Sequence, residues 1–470
     1  MDVPLIASEW EYRIEGALHM VLGYRGSHPP FLHKILRLET GDGTITSQPI
    51  QEENRFIRTV FGSHFGPYIE PGQLLPVTPQ FLSQVSEQVD SQRPESRKKK
   101  GRIQMDQKFV LLQADFCKLY SEYEDGTYTV EIKPKCGSCS RSKLVEPEVC
   151  KKLGKFTTLT YFVKNFPEES FDVARGLYDP SELLSGEKRL VEKALRGLVG
   201  RTAHTIRAFH EEEAVFADFL EEYDDSKVAG KVAQALEDGA NPSNGNVANG
   251  ASTEGETSSN DGTSISTSAL QKVQYAQKAF QVAKLVFSRA SNVLQTILKC
   301  QKLDFVDDLG AEIVYDHLIK LLSEEKAGEA IWKAHFEERD AGKFTRAMEA
   351  LSYKSPEEGA QQHNQKQYEA ACQYVQNLDA KTSAAILSDF LIAGTAKDCS
   401  IMISMAAIKD KSVEEKALLE NEGLVEVQKG EWWKYCINVV DLEPKAVSRI
   451  RNWANRDRKR MKQSFNVIKS

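Results

Sequence analysis

The stretch "GTAKDCSIMISM" (residues 394–405) joins a run of small residues to an apolar strand, with an adjacent Lys397–Asp398 pair between them. The continuous apolar run at 401–403 predicts a buried strand. A carboxylate at the entrance to such a strand costs free energy unless a partner, a metal or a substrate uses it. We therefore expect Asp398 to have a chemical role and the strand to support it.

A second apolar strand, "YCINVVD", ends on Asp441 near the end of the chain. Two acids delivered by neighbouring strands suit phosphoryl transfer, in which one orients the attacking hydroxyl and the other holds Mg²⁺. The alternative is that each acid caps a turn or a helix, and Pro444 does stand where a helix would start. The spacing alone leaves both interpretations open.

Cations and an aromatic residue follow Asp441 at regular intervals. Lys445, Arg449 and Trp453 recur every four residues, which predicts that they share one face of a helix. Cations near a helix N-terminus suit a phosphorylated ligand. A solvated basic helix is the alternative interpretation.

Two other segments place cations in strands. The two-residue period of "EIKPK" (131–135) puts Glu131, Lys133 and Lys135 on one face, where two lysines cannot both be buried without anions. A solvent-facing edge strand explains this segment equally well. Lys34 lies inside the apolar run "PFLHKILRLE", like the strand lysine that grips ATP phosphates in kinases.

Composition sets the class of protein. The chain has 470 residues, 41% of them apolar and 27% charged, as expected of a globular protein with two or three domains. It has no run of about 18 apolar residues, so we expect no membrane contact. The net charge of −7 argues against nucleic-acid binding. Basic runs at 93–102, 131–135 and 449–462 indicate either an anion site or solvated surface.

Cysteine usage indicates a reducing compartment. The eight cysteines are scattered, and the Cys136–Cys139 pair has no second pair to complete a tetrahedral metal set. We therefore expect free thiols and no zinc. The N-terminus lacks a secretory signal pattern, and we expect the protein in the nucleus and cytoplasm.

The order of the patterns predicts an α+β fold. Short apolar runs bounded by Gly, Pro and Asp predict a smaller strand-rich N-lobe over 1–135. Helical periodicity from about 179 predicts a larger helix-rich C-lobe over 136–470. Residues 237–268 have almost no large apolar side chains, which predicts a disordered insertion. Ligands usually bind in the cleft between two such lobes.

Four motifs carry a family resemblance. "EIKPKCG" (131–137), "YDPSELLSG" (178–186), "TAKDCSIMIS" (395–404) and "VVDLEPKAVSR" (439–449) together closely resemble the inositol-pentakisphosphate 2-kinases. The resemblance implies a two-lobed kinase-like fold and transfer of the ATP γ-phosphoryl group to the 2-hydroxyl of inositol 1,3,4,5,6-pentakisphosphate. It also implies ATP and Mg²⁺ as cofactors, and we expect a monomer.

The resemblance further implies residue roles. Asp398 would be the base for the hydroxyl, and Asp441 would hold Mg²⁺. The nucleotide would be contacted by residues from both lobes: Lys34, Arg37, Gln113, Asp115, Glu131 and Arg207. The inositol phosphate would be bound by a mainly cationic set: Arg97, Lys133, Lys135, Lys164, His204, Thr205, Lys445, Arg449 and Trp453.

Some positions depart from the family pattern. The glycine-rich turn reads Ile14-Glu15-Gly16-Ala17, the segment 155–160 lacks the family histidine, and His204-Thr205 replaces an asparagine pair. These departures leave a second hypothesis, a relative that binds inositol polyphosphate without catalysis. They leave a third as well, a kinase for another inositol phosphate.

Overall fold

A computed structural model describes residues 4–16, 18–41, 48–99, 101–123, 125–153, 178–199, 206–215, 267–408 and 423–467. Of the predicted site residues, Lys164, His204 and Thr205 lie outside these ranges. The predicted insertion lies outside them as well, apart from its last two residues.

The N-terminal part of the chain forms the first sheet, which is antiparallel. Its strands are β1 (Trp10–Glu15), β2 (His19–Tyr24), β3 (Lys34–Gly41), β4 (Gln73–Pro76), β5 (Arg102–Ile103) and β6 (Phe109–Ala114). The order is β1-β2-β3-β6-β4, and β5 pairs with β3. Trp10, Leu22 and Leu36 pack from its strands against Val85 of a helix that spans 79–90.

The second sheet contains the late strands. It is built from β7 (Tyr128–Ile132), β8 (Ile206–His210), β9 (Glu213–Ala214), β10 (Ser400–Ile408), β11 (Leu424–Gln428) and β12 (Glu431–Val440). The order is β11-β12-β10-β7-β8-β9, with antiparallel neighbours. The strand β7, which the sequence analysis assigned to the first domain, therefore pairs within the second sheet.

Helices pack beside both sheets. They are α1 (Ile50–Phe56), α2 (Pro79–Asp90), α3 (Glu95–Lys98), α4 (Pro147–Leu153), α5 (Pro180–Leu184), α6 (Lys188–Val199), α7 (Thr267–Arg289), α8 (Ser291–Gln301), α9 (Asp307–Leu321), α10 (Glu324–Ala334), α11 (Ala341–Leu351), α12 (Pro356–Gln362), α13 (Gln365–Val375), α14 (Ala380–Ala396) and α15 (Arg449–Val467). This mixture of helices and antiparallel sheets confirms the α+β class. Within the described residues, no helix is both long enough and apolar enough to span a membrane.

Residues 394–405 span the end of a helix and the start of a strand. The helix α14 is buried on every side from Thr382 to Ala396, because its residues are small or apolar apart from Asp389, which pairs with Arg339. It ends before Lys397, and β10 begins at Ser400 in the middle of the second sheet. The predicted apolar strand is confirmed, and it is longer than the apolar run from which it was predicted.

Local signals fixed several helix starts but not the helix breaks. The Thr78 hydroxyl accepts from the Phe81 N–H at 3.2 Å, and Asp179 caps the helix that begins at Pro180. Gly186 has a φ of +72° and separates α5 from α6 within the stretch whose helical periodicity begins at about 179. Ala290 leaves the helical conformation and separates α7 from α8.

A close helix contact gives a test of this packing. A Cβ added at Gly394 of α14 would come within 2.6 Å of the Trp453 ring of α15, so Gly394→Ala should lower the free energy of unfolding by about 1–3 kcal/mol. Gly328→Ala in α10 is the matched control, because a Cβ there meets nothing within 4 Å. The control should be neutral or stabilise by about 0.5–1 kcal/mol. Urea unfolding of both variants measures this, and equal effects would contradict the packing argument.

Candidate functional site

The pairing of β10 with β12 brings the two predicted acids to the same end of the second sheet. Ser400 lies opposite Val440, so Asp398 and Asp441 each lie just outside their strands at that end. The Asp398 side chain is 60% exposed, and Lys445 Nζ donates to its Oδ2 at 2.8 Å. The expectation that the Asp398 carboxylate pays a free-energy cost of burial is therefore wrong, because this carboxylate faces solvent and only the strand behind it is buried.

Lys397, which neighbours Asp398, faces a different part of the molecule. Its Nζ donates to Asp304 Oδ2 at 2.6 Å, and the Asp304 side chain is almost fully buried. Burial lowers the pKa of Lys397, but Asp304 and other nearby groups more than offset this and raise the pKa above its usual value. Lys397 thus anchors the end of α14 to the interior, whereas Asp398 faces solvent.

Asp441 lies in a compact polar cluster at the ends of three neighbouring strands. Its Oδ2 accepts from Lys133 Nζ at 2.7 Å and from the Ser400 hydroxyl at 2.8 Å. Lys133 also donates to the Ser400 hydroxyl at 2.8 Å, and Glu131 Oε1 lies 2.9 Å from that hydroxyl. Arg207 on β8 reaches Glu131 at 3.9 Å. We call Glu131, Lys133, Ser400 and Asp441 the polar cluster.

The charges of the polar cluster favour an ionised Asp441. Burial raises the pKa of Asp441, but Lys133 and the Ser400 hydrogen bond outweigh it, so the pKa lies below its usual range. Asp441 has a φ of +61°, in the left-handed region, which Asp tolerates better than most residues. Its side chain is 45% exposed despite these contacts.

An ion pair joins the first sheet to the loop that follows β12. Arg37 on β3 donates to Glu443 Oε1. Arg37 also lies 3.3 Å from His19 Nδ1 on β2, and His19 Nε2 lies 3.0 Å from Glu53 Oε2 on α1. The main chain of Glu443 is held in turn, because its carbonyl accepts from the Thr395 hydroxyl of α14 at 3.2 Å.

The other predicted nucleotide contacts lie at the end of β3 and β6. Lys34 Nζ is 3.8 Å from Glu70 Oε1, and the Gln113 side-chain amide donates to the Glu70 carbonyl at 3.1 Å. Asp115 is buried and accepts from Arg13 at 3.0 Å. Burial raises the pKa of Asp115, and Arg13 opposes this.

Two predicted phosphate ligands do not have the secondary structure that the sequence indicated. The helix α15 begins at Arg449, so Lys445 lies in the preceding loop and does not share a helical face with Arg449 and Trp453. The strand β7 ends at Ile132, and Lys135 has a φ of +59°. The expected single strand face over 131–135 is therefore wrong, because the chain turns after Lys133.

The remaining predicted residues lie at different places. Arg97 on α3 donates to the Gly16 carbonyl at 3.1 Å, beside the turn between β1 and β2. Arg449 is exposed at the start of α15. Trp453 packs on α14, with its ring 5.6 Å from that of Phe390.

Two site residues were missed by the sequence analysis. Ser400 follows Asp398 by two residues, and the two-residue period of strands could have placed both at the same face. Glu443 lies in an irregular loop, where no periodicity applies. Only the fold brings Glu443 to Arg37.

Comparison with known proteins identifies the family. The family model described as inositol-pentakisphosphate 2-kinase matches residues 12–459. The chain belongs to the inositol-pentakisphosphate 2-kinase family. An inositol-pentakisphosphate 2-kinase of Arabidopsis thaliana is 24% identical over 96% of this chain and 92% of its own. Another, of Oryza sativa subsp. indica, is 23% identical over 85% of this chain and 81% of its own. These matches confirm the family predicted from the four motifs.

A third relative matches a shorter part of the chain. An inositol-pentakisphosphate 2-kinase of Cryptococcus neoformans is 29% identical over 208 residues, which is 41% of this chain and 47% of its own. The family match from residue 12 to residue 459 includes the polar cluster, the second sheet and all of the first sheet except the first two residues of β1.

The Arg37–Glu443 pair provides a test of how the two sheets are held together. Both side chains are mostly buried, so Glu443→Gln should lower the free energy of unfolding by about 1.5–3 kcal/mol. Glu324→Gln is the matched control, because Glu324 is mostly exposed and pairs with a half-exposed arginine, Arg451, and should cost less than about 1 kcal/mol. Urea unfolding compares the two. A cost at Glu443 no larger than at Glu324 would contradict the proposed role of the pair.

Proposed function

We propose that the protein transfers the γ-phosphoryl group of ATP to the 2-hydroxyl of inositol 1,3,4,5,6-pentakisphosphate, giving inositol hexakisphosphate. The observation that carries the proposal is the family match across 12–459, combined with two acids at one sheet end that have lysines beside them. Phosphoryl transfer depends mainly on positioning and on stabilising charge, and this arrangement can supply both.

Asp398 is the proposed acceptor of the proton from the 2-hydroxyl. Its carboxylate is exposed, so a substrate can reach it, and the buried strand behind it limits its movement. Lys445 pairs with Asp398 at 2.8 Å in the free protein. A substrate phosphate would compete for Lys445 and release the carboxylate toward the hydroxyl.

Asp441 is the proposed Mg²⁺ ligand. Both of its side-chain hydrogen bonds within the described residues use Oδ2, so Oδ1 remains available, and the side chain is 45% exposed. Mg²⁺ is commonly held by one or two carboxylates together with water and phosphate oxygens. The cation would neutralise charge on the transferring phosphates.

The nucleotide is proposed to bind between the two sheets, in a two-lobed, kinase-like arrangement. Lys34, Arg37 and Gln113 would approach it from the first sheet, and Glu131 and Arg207 from the second. The Arg37–Glu443 ion pair supports this arrangement, because it crosses from one sheet to the other. ATP phosphates would compete with Glu443 for Arg37.

The inositol phosphate is proposed to bind beside the two acids. Lys133, Lys135, Lys445 and Arg449 are the cations near the ends of β7 and β12, and a polyphosphate needs several such charges. Arg97 would add a contact from the first sheet. Lys164, His204, Thr205 and Trp453 remain predictions from the family resemblance.

The deciding experiment is direct. The purified protein is incubated with ATP, Mg²⁺ and inositol pentakisphosphate, and the products are separated by anion exchange. Appearance of hexakisphosphate supports the proposed reaction. Inositide binding without product would favour the non-catalytic relative instead.

Asp398 has a matched control in the same assay. Asp398→Ala should reduce turnover by about 10²–10⁴-fold, the usual contribution of a general base. Asp316→Ala should leave turnover unchanged, because Asp316 is half-exposed on α9 and pairs with Arg451. Turnover that survives Asp398→Ala would contradict the role of Asp398 as the base.

A further inference from the structure

Ser400 has more charged neighbours than any role in strand packing requires. It is fully buried at the start of β10, and its hydroxyl lies within 2.9 Å of Lys133, Glu131 and Asp441. A buried hydroxyl needs only one or two partners to be satisfied. Here it contacts one cation and two carboxylates: Glu131 and Lys133 from the end of β7, and Asp441 from the loop after β12.

The hydroxyl has a single proton, which limits what it can do. It accepts from Lys133 Nζ at 2.8 Å and can donate to only one carboxylate at a time. Asp441 Oδ2 at 2.8 Å and Glu131 Oε1 at 2.9 Å are its two possible acceptors. When the proton points to Asp441, Ser400 and Lys133 both hold the same oxygen.

Hydrogen bonds that fix Oδ2 of Asp441 also fix the direction of Oδ1, because both oxygens belong to one planar carboxylate. With Oδ2 fixed by Ser400 and Lys133, rotation of the Asp441 carboxylate is restricted, and Oδ1 makes no hydrogen bond within the described residues. The Ser400 main chain pairs with Val440 of β12, and the next residue, Ile401, pairs with both β12 and β7. The hydroxyl therefore acts from a rigid base, whereas the Asp441 backbone lies in a loop with a positive φ.

We propose that Ser400 is a positioning residue for Asp441, whose hydroxyl fixes Oδ2 so that Oδ1 faces a divalent cation bound with the nucleotide. The proposal rests on the proposed function, since it concerns the cation that accompanies ATP. It extends that function by giving the strand residue two places after Asp398 a role in metal binding. Ser400 itself touches neither the cation nor the substrate.

The chain offers a matched control on the same strand. Ser404 is four residues further along β10, is equally buried, and donates its hydroxyl to the Phe116 carbonyl at 2.6 Å. Ser404→Ala therefore removes a comparable hydrogen bond away from the polar cluster. A purely structural role of Ser400 predicts that the two alanine variants behave alike.

The test measures binding of ADP to the full chain by calorimetry, once with Mg²⁺ and once with a chelator. Ser400→Ala should reduce the Mg²⁺-dependent gain in ADP affinity by about 10-fold or more, the size expected for a hydrogen bond to a charged group. Its ADP affinity in the chelator should match that of the unaltered protein. Ser404→Ala should keep the full Mg²⁺-dependent gain.

A second variant keeps the test decisive if Ser400→Ala fails to fold. Ser400→Cys has nearly the same shape and a weaker donor, so its Mg²⁺-dependent gain should be intermediate. An unchanged gain in the Ser400 variants, or an equal loss in Ser404→Ala, would overturn the positioning role. If either of these results is found and the unaltered protein still makes hexakisphosphate, the proposed function stands although the positioning role of Ser400 is wrong. If the unaltered protein binds no nucleotide, both proposals fail.

Discussion

The antiparallel register of β10 with β12 is the constraint on which the site depends. A shift of one residue would turn every side chain of β10 to the opposite face of the sheet, moving Ser400 away from Asp441. The register is secured by burial, because Ile401, Ile403 and Met405 are alternate residues on one face of β10 and all three are fully buried. The apolar core thus specifies the geometry of a polar site to which it contributes no atoms.

The same region ties the first sheet to the second. A polar chain runs from Thr395 of α14 to the Glu443 main chain, and then through the Glu443 side chain to Arg37 and His19. Charged groups of this kind cost free energy when they are removed from water unless each has a partner. Every member of this chain has one, so complementary charge contributes to the contact between the sheets.

Sequence patterns predicted the site residues that adjoin regular strands and missed those that lie in irregular loops. Asp398 and Asp441 were found because each adjoins an apolar strand, and the motif match identified the family. Lys445 was placed on a helix because periodicity cannot tell that the helix begins only at Arg449. Glu443 had no local signal, since its partner Arg37 is 406 residues away in the chain. Long-range pairing of this kind is a property of the fold and not of any window of sequence.

The left-handed backbone at Asp441 limits which residues can replace it. Asp, Asn and Gly adopt a φ near +61° with little strain, whereas β-branched and bulky residues do not. The replacements that the backbone accepts are therefore ones that remove the negative charge and keep the turn. A single change to Asn or Gly at this position would remove the carboxylate proposed to hold Mg²⁺ while preserving the turn and the neighbouring cations. On the proposed role of Asp441, one substitution is therefore enough to separate anion binding from catalysis.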